Sequence, residues 1–188
     1  MVTMTVFKSD PMDRKSVNLM LFIWLMLLAF LSPGMSFAKE ETITIKVVRV
    51  VHGDTFRGTN ADDREFRVKL EGIEAPEAAQ AFGYKARLYL RKLIEGKEVT
   101  VVFSEEHDET IVGRVFLDKI DVGEKMMEDG CAWYNPLYCH KSFCNKYSLW
   151  QETAQAAKKG LWKGPKPVPP WEYRLNKDKY KDWSPLAY

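Results

Sequence analysis

Two strand-like segments, each running into a tight polar turn, constrain this 188-residue chain more than any other feature. The first ends near Val51 and leads into His52-Gly53-Asp54-Thr55; the second, Glu65 to Glu71, leads into Gly72-Ile73-Glu74-Ala75-Pro76-Glu77. Between them, Asp54 to Gly58 and the turn-rich Thr59-Asn60-Ala61-Asp62-Asp63 predict a hairpin. Side chains alternate along a strand, so the return strand presents Phe66, Val68 and Leu70 on one face and Arg67, Lys69 and Glu71 on the other. Three carboxylates, Asp54, Glu74 and Glu77, thus gather at the ends of strands that carry two bases on a shared face. These are the residue types that phosphodiester chemistry uses.

The first 38 residues are set apart. Lys8, Arg14 and Lys15 precede an uncharged run from Val17 to Leu31, rich in Leu, Met and Phe. The run is shorter than a usual membrane-spanning helix and leads through Ser32-Pro33-Gly34 to Ser36-Phe37-Ala38, small residues where a signal peptidase reads. A signal peptide cleaved after Ala38 is expected, with an uncleaved anchor of the same orientation as the alternative. Either places the domain outside the cytoplasm, periplasmic or secreted, and cleavage leaves no stable membrane association. Lys39 to Tyr188, 150 residues, is the size of one compact domain, expected as a monomer. Its folded part is expected over residues 39–175, with a loosely held tail over 176–188. The whole chain carries a net charge of +2 and the leader supplies +1 of it, so any basic groove for a polyanion must be local.

Export frames the three cysteines, because an oxidising compartment favours pairing. Cys139 and Cys144 flank a short polar loop, whereas Cys131 sits in the apolar Gly130-Cys131-Ala132-Trp133. A Cys139–Cys144 disulfide with Cys131 as a buried free thiol is expected. A metal site built from the cysteines and His140 is the alternative, although the spacing matches no common zinc pattern.

Further along, Glu41 to Val51 alternates as a half-buried strand, and Lys97 to Phe103 and Ile111 to Leu117 read as two more, joined by the acidic loop Ser104 to Glu109. Helical spacing marks Ala78 to Ile94, with Gly96 as a stop signal, a short helix around Glu124 to Asp129, and a longer one from Lys146 to Lys159 closing at Gly160. From Lys163 to Trp171 the chain is too proline-rich for a helix or a central strand. Five strands with about three inserted or appended helices predict an α+β domain built on a small OB-type β-barrel.

On these residues the domain resembles the staphylococcal-nuclease-like family, calcium-dependent nucleases built on such a barrel. Four ordered motifs carry the likeness: His52-Gly53-Asp54-Thr55, Lys69 through Glu77, Gly113-Arg114, and Gly160-Leu161-Trp162 followed by Pro169-Pro170-Trp171-Glu172-Tyr173-Arg174. The last is similar to exported nuclease-like proteins of Gram-negative bacteria. The resemblance implies that Asp54, Glu74 and the backbone carbonyl of Ala75 hold a calcium ion, that Glu77 orients or deprotonates the attacking water, and that Lys69 and Arg114 face the phosphate. It implies a nucleic-acid substrate, DNA or RNA with single strands preferred, and 3′-phosphate products.

Three departures from the family pattern bear on that expectation. Lys69 stands where the family has arginine, and a lysine cannot make the planar two-pronged contact of a guanidinium, although Arg67 on the same face could compensate. Glu74 stands where aspartate is usual, and Ile111-Val112 replace a basic residue and a tyrosine that contact the nucleotide. His52 is expected as an accessory group beside the site. Each assignment has a structural counterpart: Asp54 as a turn cap, Glu77 in the first turn of a helix, Arg114 paired with an acid on a neighbouring strand. The alternative for the whole domain is a catalytically weak or inactive module that binds nucleic acid or a protein partner.

Overall fold

The computed structural model describes residues 39–180 together with Asn18, Phe22 and Trp24, which are helical. The chain divides into two units, Met1–Ala38 and Lys39–Tyr188. The expected signal peptide and its cleavage site lie outside the described residues, among which no helix is long and apolar enough to cross a membrane.

The second unit is the expected α+β fold. Strands β1 (Glu41–His52), β2 (Thr55–Thr59) and β3 (Glu65–Leu70) form an antiparallel meander. β1 also pairs with β5 (Glu98–His107), and β5 with β6 (Thr110–Leu117). Parallel pairing of β3 with β6 closes the five strands into a barrel, which leaves no open edge among them. A short strand β7 (Ile120–Asp121) folds back on β6, and β4 (Ile73–Glu74) pairs with β8 (Trp133–Tyr134) as a separate ribbon. Alternation supplies the core: Ile45, Val47, Phe56, Phe66, Val68, Val101, Ile111 and Val115 all point inward and are fully or almost fully buried.

Among the described residues of the unit the α-helices are α1 (Gly83–Ile94), α2 (Val122–Glu128), α3 (Cys144–Ala156) and α4 (Pro170–Leu175). α1 buries Ala86, Leu90 and Ile94 and starts five residues later than its spacing suggests. The reason is Gln80. Its side chain is buried, accepts from the Glu77 N–H at 3.0 Å and donates to the Val168 carbonyl, so residues 77–82 form turns instead of a first helical turn. The acidic segment Ser104 to Glu109 is mostly strand rather than loop. β5 and β6 continue to a two-residue turn at Asp108-Glu109, whose positive φ values of 45° and 61° match the twist of a tight hairpin. The expected tail also begins later than residue 176: Lys177–Tyr180 forms a 3₁₀ turn, and buried Tyr180 stacks on Tyr173.

Cys139 and Cys144 are joined in a disulfide, and Cys131 is a free buried thiol whose pKa burial pushes up to about 12. The bridge packs against the turn that precedes β4. Gly72 has a φ of 79°, and a Cβ there would lie 2.3 Å from the Cys139 sulfur, so only glycine fits both the turn and the bridge. Asn135, in the same loop, donates its N–H to the Gly72 carbonyl at 3.0 Å. The staple therefore fixes the backbone that leads into Glu74. Closing so short a loop contributes ~2 kcal/mol. Cys139→Ala/Cys144→Ala is expected to lower the unfolding free energy in a urea titration by ~2 kcal/mol, and reduced wild-type protein should match the double variant in the same titration.

Candidate active site

Gly53 makes the site possible. A Cβ at this position would lie 2.6 Å from the Cβ of Ala75 and 2.9 Å from that of Ala86, so only glycine lets the β1–β2 turn press against the segment after β4 and against α1. The next residue, Asp54, is buried as a result. Its carboxylate accepts hydrogen bonds from Thr55 Oγ1 at 2.8 Å and from the Ala75 N–H at 3.2 Å. Burial raises its pKa; Lys69, the two hydrogen bonds and His52 pull the other way without cancelling it. The surroundings of Asp54 thus penalise its ionised form.

Asp54 opens into a cleft of about 230 Å³ that it shares with His52, Arg67, Lys69, Glu77 and Arg174. Thr55, Ala75 and Pro76 complete the lining. Arg67 and Lys69 reach it because they alternate outward on β3, as the sequence pattern requires. Glu77 is held from behind by its N–H to Gln80, and its Oε1 accepts from Arg174 Nη1 at 2.9 Å. The second guanidinium nitrogen of Arg174 donates to Glu74 Oε2 at 2.8 Å, so one arginine spans two of the three carboxylates. Glu74 itself is buried, takes a second hydrogen bond from Asn135 Nδ2, and lines a neighbouring cavity of about 170 Å³ with Lys69, Val112 and Tyr138. Lys69 borders both cavities, the one that Asp54 lines and the one that Glu74 lines.

Arg114 is not among the cleft residues. Its guanidinium donates to Asp121 Oδ2 through Nε at 3.1 Å and Nη2 at 2.7 Å, and stacks on Phe116 and Phe143 at 4.7 and 4.6 Å from the ring centres. Asp121 also accepts from Tyr147 Oη at 3.1 Å and caps α2 by accepting from the Glu124 N–H at 3.0 Å. Desolvation would lower the pKa of Arg114, but its bonds to Asp121 outweigh that and hold it raised. Arg114 is thus the structural cation that ties β6 to β7, α2 and α3, and pairing with an acid on a neighbouring strand describes it better than a phosphate contact. The β6 residues that face Arg67 and Lys69 across the parallel pairing are Thr110 and Val112, neither of them basic.

Two residues of the site are invisible to local sequence reasoning. Arg174 lies in the Pro169–Arg174 motif, 100 positions from Glu74, and enters because α4 docks: Tyr173 Oη donates to the Ala79 carbonyl at 3.3 Å and Trp171 packs edge-on to Trp133. Asn135 is a hub whose side-chain oxygen accepts from the Leu137 N–H at 3.0 Å while its amide nitrogen holds Glu74. Nothing in the pattern of either segment marks them as partners of that carboxylate.

The donor set fits a hard cation in kind. Asp54, Glu77 and Glu74 offer carboxylate oxygens and Ala75 a backbone carbonyl, and among the described residues the buried carboxyl of Asp54 forms no ion pair. Among the described residues, however, no group of three or more His, Cys, Asp and Glu side chains is already drawn together as a cage. Glu74 and Glu77 are engaged by Arg174.

A family model described as Staphylococcal nuclease homologue matches residues 67–164. The chain belongs to that family. It is 34% identical over 134 residues to an uncharacterized endonuclease of Escherichia coli, covering 70% of this chain and 85% of the relative. It is 36% identical over 122 residues to a protein of Oryza sativa subsp. japonica named "Probable staphylococcal-like nuclease", covering 64% of this chain and 36% of that one. A "Staphylococcal-like nuclease" of Arabidopsis thaliana matches at 31% over 141 residues, 74% of this chain and 42% of the relative. The chain thus spans well under half the length of these plant members of the staphylococcal nuclease family.

Two outcomes follow from this geometry. A carboxyl whose folded pKa is raised stabilises the fold only where it is protonated, and that stability is lost as pH rises through the folded pKa. Asp54→Asn is therefore expected to melt at a higher temperature than wild type in chelator at pH 7–8, with the gap closing towards about pH 4. Thermal melts across that range check it, and a gap independent of pH would contradict it. Arg114→Met, by contrast, leaves buried Asp121 without its cation and should cost roughly 2–4 kcal/mol in urea unfolding.

Proposed function

We propose that this member of the staphylococcal nuclease family is an exported, metal-dependent phosphodiesterase that hydrolyses DNA or RNA, preferring single-stranded or frayed segments. The observation that carries the reading is the meeting of Asp54, Lys69 and Glu77 in one cleft whose floor is a buried, under-compensated carboxylate. Nuclease and endonuclease are the names of its relatives, which supports the reaction class.

In this reading Asp54, Glu74 and the carbonyl of Ala75 would hold a calcium ion, which supplies polarisation of a phosphoryl oxygen. Glu77 orients a water molecule and takes its proton as the water oxygen bonds to phosphorus. The bond from phosphorus to the 5′ oxygen breaks, that oxygen takes a proton from solvent, and a 3′-phosphate is left. Lys69, Arg67 and Arg174 surround the negative charge that builds up on the phosphoryl oxygens. A base adjoining the scissile phosphate could rest in the apolar cavity beside Val112 and Tyr138, where Tyr138 is exposed enough to stack. A cation that took up Glu74 and Glu77 would compete with the guanidinium of Arg174, so metal affinity and the docking of α4 are linked.

A second reading, a nuclease-like module that binds nucleic acid with little turnover, is favoured by the commitment of Arg114 to Asp121 and by the neutral Thr110 and Val112 on β6. Hydrolysis of heat-denatured DNA and of RNA in calcium, in magnesium and in chelator separates the two. The enzyme reading expects metal-dependent cleavage that falls at least 100-fold in Glu77→Gln, in line with loss of a general base. It also expects Arg114→Met to keep turnover within a few-fold below its melting temperature. Absence of cleavage from folded protein in every condition, unrelieved by Lys69→Arg, selects the binding module.

A further inference from the structure

The strand register places three arginines side by side on the outside of the barrel. Arg49 of β1 is directly opposite Arg57 of β2, and Arg57 is directly opposite Arg67 of β3. All three are exposed, and among the described residues none forms an ion pair. Like charges directly opposite one another in an antiparallel pair are destabilising. A rung of three without carboxylate partners therefore needs a reason outside the fold.

The first arginine faces outward only because the strand is interrupted. Ile45 and Val47 point inward, so strict alternation would turn Arg49 towards the core. A register shift between Val47 and Arg49 leaves Val48 and Arg49 both exposed and returns Val50 to the interior. The irregularity is held in place by α1: Glu95, just past its end, accepts the Val50 N–H at 3.0 Å, and the Gly96 N–H bonds the Val47 carbonyl at 2.9 Å. The bond from Val50, opposed by desolvation and helped by Arg91, holds the Glu95 carboxyl below its usual range. A built bulge thus aims Arg49 at the end of the rung.

The other end of the rung is the cleft. Arg67 lines it, and Lys69, two residues along the same face of β3, stands beside Asp54. Neighbouring strands lie about 5 Å apart, so the three guanidinium groups span roughly 10 Å across the strands. Beyond Arg67 the surface changes sign: Glu65, Asp108 and Glu109 border a groove with Arg57 and Arg67. A polyanion is thereby repelled from the β5–β6 turn and drawn along the rung from Arg49 to the cleft.

We propose that Arg49, Arg57 and Arg67 form a track for the sugar-phosphate backbone of a single-stranded nucleic acid, which feeds the strand into the cleft from β1. The track rests on the nuclease reading and deepens it by assigning the contacts that a polymer makes and a dinucleotide does not. Phosphate contacts of this kind position a strand without reading its sequence.

Binding is measured on the purified protein in the Glu77→Gln background in chelator, with a fluorescent 20-nucleotide single-stranded DNA and with a dinucleotide, over a salt series. Arg49→Ala/Arg57→Ala is expected to weaken binding of the 20-mer at least tenfold at low salt. The slope of log affinity against log salt should fall by about 1.4, two phosphate contacts at ~0.7 each for single strands. Dinucleotide affinity should move less than twofold, and melting temperature should rise as the like charges are removed. Lys85→Ala/Lys92→Ala, which removes two exposed bases from α1, should leave both affinities near wild type. Unchanged 20-mer affinity, an equal loss for the dinucleotide, or an equal loss in the α1 variant would each overturn the track while leaving the nuclease reading standing. Wild-type protein that binds neither probe would overturn both.

Discussion

Parallel pairing between β3 and β6 is the constraint on which the site depends. It closes the barrel, and its register decides which residues of β6 look onto the cleft: Thr110 beside Arg67 and Val112 beside Lys69. Parallel strands cannot be joined by a tight turn, so the chain reaches β6 from β3 by way of the α1 crossover and β5. The inward residues of the two strands, Phe66, Val68, Ile111 and Val115, fix the register by burial, because a slip of one position would expose the whole apolar set. The outward residues inherit their positions from that choice. Arg114 inherits one that faces Asp121, Phe116 and Phe143 instead of the phosphate side.

The carboxylates are placed by two glycines and a staple. Gly53 lets the β1–β2 turn approach Ala75, which buries Asp54, and Gly72 accommodates the Cys139 sulfur, which ties the β4 turn to the Asn135 loop. Glu74 is then held by Asn135 on one oxygen and Arg174 on the other. Asp54 is buried with hydrogen bonds from Thr55 and Ala75, whereas Glu74 is buried against a guanidinium. Two acids of similar burial therefore differ in what they can do: Asp54 gains from any cation that arrives, whereas Glu74 must first give one up.

Much of this was legible in the sequence, and the limits have physical causes. The strand alternation of Phe66-Arg67-Val68-Lys69-Leu70, the glycine turns and the helical spacing of Ala86, Leu90 and Ile94 are local signals, and they locate the barrel, α1 and the acidic cluster. The helix start at Ala78 was not legible, because Gln80 is recruited by Val168, 88 residues away. Arg114 carries the right motif in Gly113-Arg114, but its partner is decided by the β6–β7 hairpin and by α3, neither of which the motif contains. Arg174 is the converse: its motif assigns it no role, and only the docking of Tyr173 and Trp171 turns it towards Glu74 and Glu77. Local pattern thus finds the groups that chemistry requires, while long-range contacts select which cations serve them.

The electrostatics of the domain follow the same division. Net charge is close to neutral, so the overall field gives little long-range attraction for a polyanion, and recognition must come from the local arrangement of a few bases. The β1 bulge shows where that arrangement is made. A regular strand would bury Arg49 or displace Val50 from the core; the irregular one keeps Val50 inside, loses a ladder bond, and recovers the freed N–H through Glu95. The resulting arginine stands opposite another arginine with no acid to relieve it, although Glu41, Glu65 and Glu98 lie on the same three sheet-forming strands and their near neighbours. Those acids pair in register with Phe103, Thr59 and Lys46. Glu98 thus stands opposite Lys46, while Arg49, Arg57 and Arg67 stand side by side with no acid opposite any of them. Three like charges in register repel one another, and an extended anionic strand laid across them would relieve that repulsion.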